Sequence, residues 1–348
     1  MCRSVLAFSK KNVKNSYLRM KLKPFLTVFI VLSILVSVVF YSFGRQSKAT
    51  DNIIQNTTYI AEPQRVHSLQ ISDKLQFAGE DVPFVQFDVR ENIDRELLAF
   101  TYMHSTTLML VKRANLYFPI IEPILKEYGI PDDFKYLALI ESHFNPRALS
   151  PVKAAGIWQF MDETGKRYGL EINSQVDERY DLKKATVAAC KYLKESYDIY
   201  DDWIITAASY NGGRGRMTRE LDRQKVLSFF DLFLNEETTR YVYRIIASKE
   251  IISNPAKYGF CLRKEDFYHT VRVETVAVNT EVENWADWAQ KRGTTYGQLK
   301  YFNPWIQDIK LDNKNKKVYH VIVPNKNDLK FDISKVIIHN ESWLRCEY

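Results

Sequence analysis

Nineteen consecutive residues, Phe25–Phe43, carry no charge and are interrupted only by Thr27, Ser33, Ser37 and Ser42. As a helix rising about 1.5 Å per residue the run covers roughly 28 Å, close to the hydrocarbon thickness of a bilayer. It is longer than the ~7–15 residues of a signal-peptide core. Residues 1–24 ahead of it hold Arg3, Lys10, Lys11, Lys14, Arg19, Lys21 and Lys23 and no acidic side chain. Such a flank is retained in the cytoplasm, which places the rest of the chain outside. The expectation is one transmembrane anchor at 25–43. Ser47-Lys48-Ala49 is a weak small-x-small site, so removal of the leader stays open as an alternative. No cysteine follows the run closely, which argues against a bacterial lipoprotein anchor.

The same seven basic residues account for the whole formal charge of +7. Beyond residue 24 the chain carries 42 basic and 42 acidic residues, which removes the main support for a nucleic-acid binder. At 348 residues the chain has room for two modest cores. Cys190, in Ala185–Cys190, reads as a buried helical thiol. A Cys261–Cys346 disulfide is conceivable, but the wide spacing forms no framework and no metal pattern.

Residues 44–91 read as a polar tether followed by short segments that wrap the next domain. From Asn92 the apolar spacing turns helical, with one long helix through Leu97, Phe100, Leu108, Val111 and Leu116. Pro119 and Pro123 punctuate it, and a second helix is expected over Glu122–Tyr128. Further helices are expected at Asp133–Phe144 (Asp132 as N-cap), Asp162–Tyr168, Leu182–Tyr197, Trp203–Tyr210, Glu220–Phe230 and Glu237–Ser253. Residues 92–260 thus read as an all-α domain. The alternation of His269–Val273 then signals a strand, helices follow at Val282–Lys291 and Thr295–Phe302, and Tyr319–Pro324 closes as a strand. That βααβ order over 270–325 describes a small α+β module, with 326–348 as a C-terminal tail.

Tyr136–Ile140 is apolar on every face, so the helix that carries it is buried all round. Glu141 follows on the face of Phe134, Leu137 and Ala138, in the last turn before Asn145-Pro146. Burial and the negative end of the helix dipole both disfavour a carboxylate there, the condition a general acid needs near neutral pH. A carboxylate reaching solvent or pairing with Arg147 accounts equally for its position alone.

The residues around it extend the pattern: Glu141-Ser142-His143-Phe144-Asn145-Pro146, Gly156-Ile157-Trp158-Gln159-Phe160-Met161, Ala207-Ala208-Ser209-Tyr210-Asn211-Gly212-Gly213, and Glu237-Thr238-Thr239-Arg240-Tyr241. Together these resemble the lytic murein transglycosylases of glycoside hydrolase family 23, and Gly-Ile-Trp-Gln-Phe-Met is most similar to the membrane-bound type D subgroup. The resemblance implies a mainly α, lysozyme-like catalytic domain. It implies Glu141 as the sole acid/base, with Ser142, Ser150, Gln159, Met161, Tyr210, Asn211, Glu237 and Tyr241 as substrate-binding residues. From the residues alone, Gln159 also suits a loop cap, Met161 packing, and Glu237 a structural partner. Ile157 and Trp158 replace the Leu-Met of the commonest form, which touches glycan preference rather than the acid.

The implied reaction cuts the β-1,4 bond between N-acetylmuramic acid and N-acetylglucosamine and closes a 1,6-anhydro ring, with no metal or cofactor. The implied partners are peptidoglycan strands, the membrane and wall-assembly proteins, with the catalytic domain on the periplasmic side of a bacterial inner membrane. Trp285-Ala286-Asp287-Trp288-Ala289 and Leu299–Pro304 resemble a divergent LysM domain, which implies glycan binding; a packing module without a ligand is the competing reading. A hydrolytic muramidase on the same scaffold, or an inactive wall-binding membrane protein, are the alternatives for the chain.

Overall fold

A computed structural model describes residues 68–72 and 74–344; the basic segment, the apolar run at 25–43 and Cys346 lie outside them. Among the described residues no helix is long and apolar enough to cross a membrane. The described chain is mainly helical, with a small β-containing module near its C-terminal end.

Residues preceding the first helix form a two-residue hairpin, β1 Gln76–Phe77 and β2 Glu80–Asp81, and bury Leu75, Phe77, Val82 and Phe84 in the helical core. Helix α1, Phe87–Tyr102, buries Val89, Ile93, Leu97 and Phe100 at helical spacing. Helix α2, His104–Glu127, follows after Met103 alone, whose ψ of 55° breaks the ladder. The single long helix expected from residue 92 is therefore two, and neither glycine nor proline marks the break. Pro119 and Pro123, expected as punctuation, lie inside α2. Their missing N–H groups are tolerated because Phe118, Ile121 and Leu125 are fully buried on the same helix.

Gly129 at φ +69° ends this region, and a 3-10 turn at Asp132–Phe134 leads into α3, Lys135–Ser142. Asp132 does not cap that helix; its carboxylate takes Lys135 Nζ at 2.5 Å instead. His143 and Phe144 adopt φ of 51° and 52°, so α3 ends two residues earlier than expected. Short α4, Asp162–Arg167, is followed by α5, Leu182–Tyr200, α6, Trp203–Gly212, α7, Arg214–Gln224, and α8, Glu236–Ser253. The helix expected at Glu220–Phe230 is displaced: α7 buries only Met217, leaving no apolar period to read, while Phe229 and Phe230 sit in a separate 3-10 turn.

In the second region β3, Val273–Val278, pairs antiparallel with β4, Tyr319–Pro324, from Val273↔Pro324 to Val278↔Tyr319. Between them lie α9, Trp285–Gln290, started by the Asn284 side chain, and α10, Tyr296–Phe302, started by a Thr295/Gln298 capping box. β3 begins where the sequence placed its end, because only Val278 of that strand is buried. The module's core joins Trp285, Leu299, Trp305, Ile306 and Val321 to Val176 of the helical region, with Tyr180 packed against it. The segment after β4 returns to the helical core. Trp343 is buried there, its Nε1 donating to Ile252 O at 2.7 Å and its ring parallel to Phe267 at 6.1 Å.

Candidate active site

Glu141 lies in the last turn of α3, a helix whose Tyr136, Leu137, Ala138 and Leu139 are all buried. Tyr241, 5% exposed on α8, donates its hydroxyl to Glu141 Oε1 at 2.5 Å. Protein crowds the carboxyl, and this desolvation pushes its pKa up to about 7. The Tyr241 hydrogen bond pulls against that shift, and the Glu237 charge adds to it. Tyr241 and Tyr210 are themselves held well above the usual phenol range by burial and by Glu141, so both hydroxyls remain donors. Arg113 Nη1 meets the carbonyl of His143 at 2.8 Å and so satisfies an oxygen where the helix ends.

Tyr210, near the end of α6, donates to Trp158 O at 2.8 Å and packs edge-on to Tyr192 at 5.1 Å. Its neighbour Asn211 accepts from Thr238 Oγ1 at 3.1 Å, which ties α6 to α8. Gln159 stands beside Trp158 at φ +50°, and its Nε2 donates to Gly156 O at 2.7 Å. The loop-cap reading of Gln159 therefore describes its amide nitrogen, while Oε1 is left as an acceptor.

The structure brings Glu141, Tyr210, Asn211, Glu237 and Tyr241 together through α3, α6 and α8, with Gln159 one residue from the Tyr210 contact. Three other sequence candidates turn elsewhere. Ser142 Oγ donates back to Ala138 O at 3.3 Å. Ser150 Oγ accepts from Ala154 N at 2.9 Å. Met161 stands 45% exposed at the start of α4. Glu237 is exposed and acts on Glu141 through its charge.

What sequence reasoning missed is the support of the Gln159 loop. Arg179 and Asp177 are buried, joined by Nη2–Oδ2 at 2.7 Å. Arg179 Nη1 also donates to Lys153 O at 2.9 Å and Phe160 O at 3.1 Å, gripping both arms of the loop. Gly156, at φ +76°, lies so close that a Cβ there would stand 1.9 Å from Arg179 O. Trp158, fully buried, donates Nε1 to Thr186 Oγ1 at 2.9 Å. Asp177-Glu178-Arg179 resembles a solvated charge run, and only its place just ahead of a helix hinted otherwise. Among the described residues no group of His, Cys, Asp and Glu is arranged to hold a metal ion.

Residues 118–233 match the Transglycosylase SLT domain, and residues 274–327 match the Soluble lytic transglycosylase C-terminal LysM-like domain. The membrane-bound lytic murein transglycosylase D of Escherichia coli strain K12 is 32% identical over 244 residues, 69% of this chain and 52% of that protein. The membrane-bound lytic murein transglycosylase C of Haemophilus influenzae strain PittEE is 28% identical over 42% of this chain and 44% of its own. The chain thus spans about half the length of the curated relatives it matches. The 70 kDa soluble lytic transglycosylase of Escherichia coli aligns with a TM-score of 0.35 at 24% identity, over 41% of this chain and 24% of that one. The chain thus carries a Transglycosylase SLT domain that includes Glu141, followed by a LysM-like module, in the order of an SLT-domain lytic transglycosylase.

Proposed function

We propose that the protein is a peptidoglycan lytic transglycosylase that cleaves the β-1,4 bond between N-acetylmuramic acid and N-acetylglucosamine and leaves a 1,6-anhydro-muramyl end, in wall remodelling or turnover. The observation that carries this reading is Glu141, a carboxyl raised to about 7 with one oxygen held by Tyr241. Oε1 accepts from the phenol, so the proton resides on Oε2 and is the one available to a substrate. Glu141 gives that proton to the glycosidic oxygen as the C1–O bond breaks, and N-acetylglucosamine leaves with a new hydroxyl. The substrate's own acetamido oxygen bonds to C1 and takes the place of a protein nucleophile, an exception to the two-carboxylate scheme. Glu141, now ionised, removes the proton from the C6 hydroxyl, and O6 displaces the acetamido oxygen from C1. No water is consumed, and Glu141 ends protonated as it began.

Tyr241 fixes the carboxyl's orientation, while Gln159 Oε1 and the Tyr210-Asn211 pair are the proposed sugar contacts. Ser142, Ser150, Met161 and Glu237 belong to the same substrate-binding set by resemblance. We assign residues 92–260 to a lysozyme-like catalytic domain and 270–325 to a glycan-holding LysM-like module. The run at 25–43 is the proposed inner-membrane anchor, with the enzyme facing the periplasm.

The test is mass spectrometry of fragments released from purified peptidoglycan by the full chain and by Glu141→Gln. Products one water lighter than hydrolysis products, absent with the variant, are expected. Reducing-end products lost in the variant would make the protein a muramidase using the same acid. No release, with wall binding intact, would make it a tethered binding protein.

A further inference from the structure

The α10 helix of the LysM-like module approaches the segment that leaves Glu141. Arg147, exposed six residues beyond Glu141, has its guanidinium carbon 6.0 Å from the centre of the Tyr301 ring, which is 62% exposed. Lys300 lies beside it on the same helix, its Nζ donating to Ile306 O. Burial and the nearby Arg147 charge both hold that ammonium below its usual range. On the other side Tyr117 packs at a tilt against Phe144, ring centres 5.6 Å apart, and Arg113 binds the His143 carbonyl. Among the described residues, none of Arg113, Arg147 and Lys300 forms an ion pair. Such a concentration of uncompensated charge is unusual in this chain, where most buried or half-buried cations face a carboxylate, as Lys135, Arg179, Arg214 and Arg240 do. Glu141 does not supply the missing anion: it forms no ion pair with any of the three, and its carboxyl is engaged by Tyr241 instead.

Two like charges held close together are repelled until an anion comes between them. The substrate class proposed above carries such an anion: each muramyl sugar bears a short peptide with free carboxylates. We propose that Arg147, Lys300 and Tyr301 form a subsite for those peptide carboxylates, built jointly by the catalytic region and the LysM-like module; this rests on the peptidoglycan reading. The subsite adjoins the sugar contacts through Ala148, whose carbonyl lies 3.4 Å from Gln159 Nε2. Arg147 supplies the planar fork suited to a carboxylate. Lys300 supplies a second charge, and the Tyr301 ring an apolar wall under the peptide. In this arrangement the module shapes which glycans are cut, in addition to any role in holding the wall.

The test uses the full chain on glycan strands that carry peptides and on the same strands after an amidase has removed them. For Arg147→Gln and for Lys300→Gln/Tyr301→Ala, KM on peptide-bearing strands is expected to rise about three- to ten-fold more than on stripped strands, as for partly solvated ion pairs. Arg147→Lys keeps the charge and should recover most of the loss, and added salt should narrow the wild-type preference. An equal change on both substrates, or none, overturns the subsite while leaving the enzyme reading intact. An equal change would point to the lactyl carboxylate that stripping leaves behind. If the wild type releases nothing from either strand, the peptidoglycan reading itself fails.

Discussion

Glu141 combines two properties that work against each other, since the burial that makes it an acid also makes its ionised form costly. Free enzyme should be active with Glu141 protonated, and kcat/KM should fall as pH rises through about 7. Tyr241→Phe removes the hydrogen bond that pulls the carboxyl downward, so the same limb should move to higher pH. A profile unmoved by this change would detach the limb from Glu141. The stability consequence follows from linkage. The folded carboxyl has a pKa near 7 against 4.5 unfolded, so the folded state binds the proton more tightly between these values and loses stability as pH climbs through them. Glu141→Gln is therefore expected to be inactive and, at pH 8, more stable than wild type by up to about 3 kcal/mol. The excess should shrink toward pH 4, which urea titrations at the two pH values would read. Glu141 was legible in the sequence because a helix apolar on all faces leaves few reasons to carry a carboxylate at its end. The Tyr241 contact was not, because a hundred residues separate the pair and the likeness alone placed them in one site.

At the scale of elements, the Gln159 loop depends on a clamp that contributes no chemistry. The Asp177 and Arg179 side chains are each only 9% exposed, so removing one leaves the other as a buried charge. Arg179→Met should cost roughly 3–5 kcal/mol in denaturant unfolding. Asp177→Asn combined with Arg179→Met should cost less than Arg179→Met alone. A double variant as damaged as that single one would show that the carbonyl contacts to Lys153 and Phe160 dominate. The helices α5 and α8 could be read because each buries a regular apolar stripe. The split at Met103 and the start of α7 could not. The first turns on one residue's ψ, and the second follows Gly213, a residue type that marks helix ends more often than starts. Prolines 119 and 123 misled for a third reason: local preference lost to burial on the rest of α2.

At the scale of the molecule, the LysM-like module is welded to its neighbour. Asp177 N donates to Trp305 O at 2.9 Å, and Gln175 and Asp312 exchange two hydrogen bonds at 2.8 Å. Lys317 reaches Glu171 and Glu178, and Val176 enters the module's own core. Asp177 belongs both to this junction and to the clamp on the Gln159 loop, so the two regions share a residue that neither can move alone. Calorimetry of the full chain should give one unfolding transition for the helical region and the module together, and Ile306→Asp should lower its midpoint. Two separated transitions would show the junction to be a mere contact. None of this was legible beforehand, because the joining residues, polar and apolar alike, lie in segments between regular elements, where sequence patterns carry little information about partners.

The return of Trp343 to the helical core sets an order of assembly. The Phe118 ring is 6.3 Å from Trp343, although 225 positions separate the two in the chain. The host of the active site is thus discontinuous, with the module spliced between its main body and its closing residue. A nascent chain must finish the module before it can finish the host. A chain stopped ahead of Trp343 would uncover one side of Phe118 and of Phe267 and leave the Ile252 carbonyl without the indole donor. In a region closed this way, the last contacts of the helical core form only after the module between them has been made.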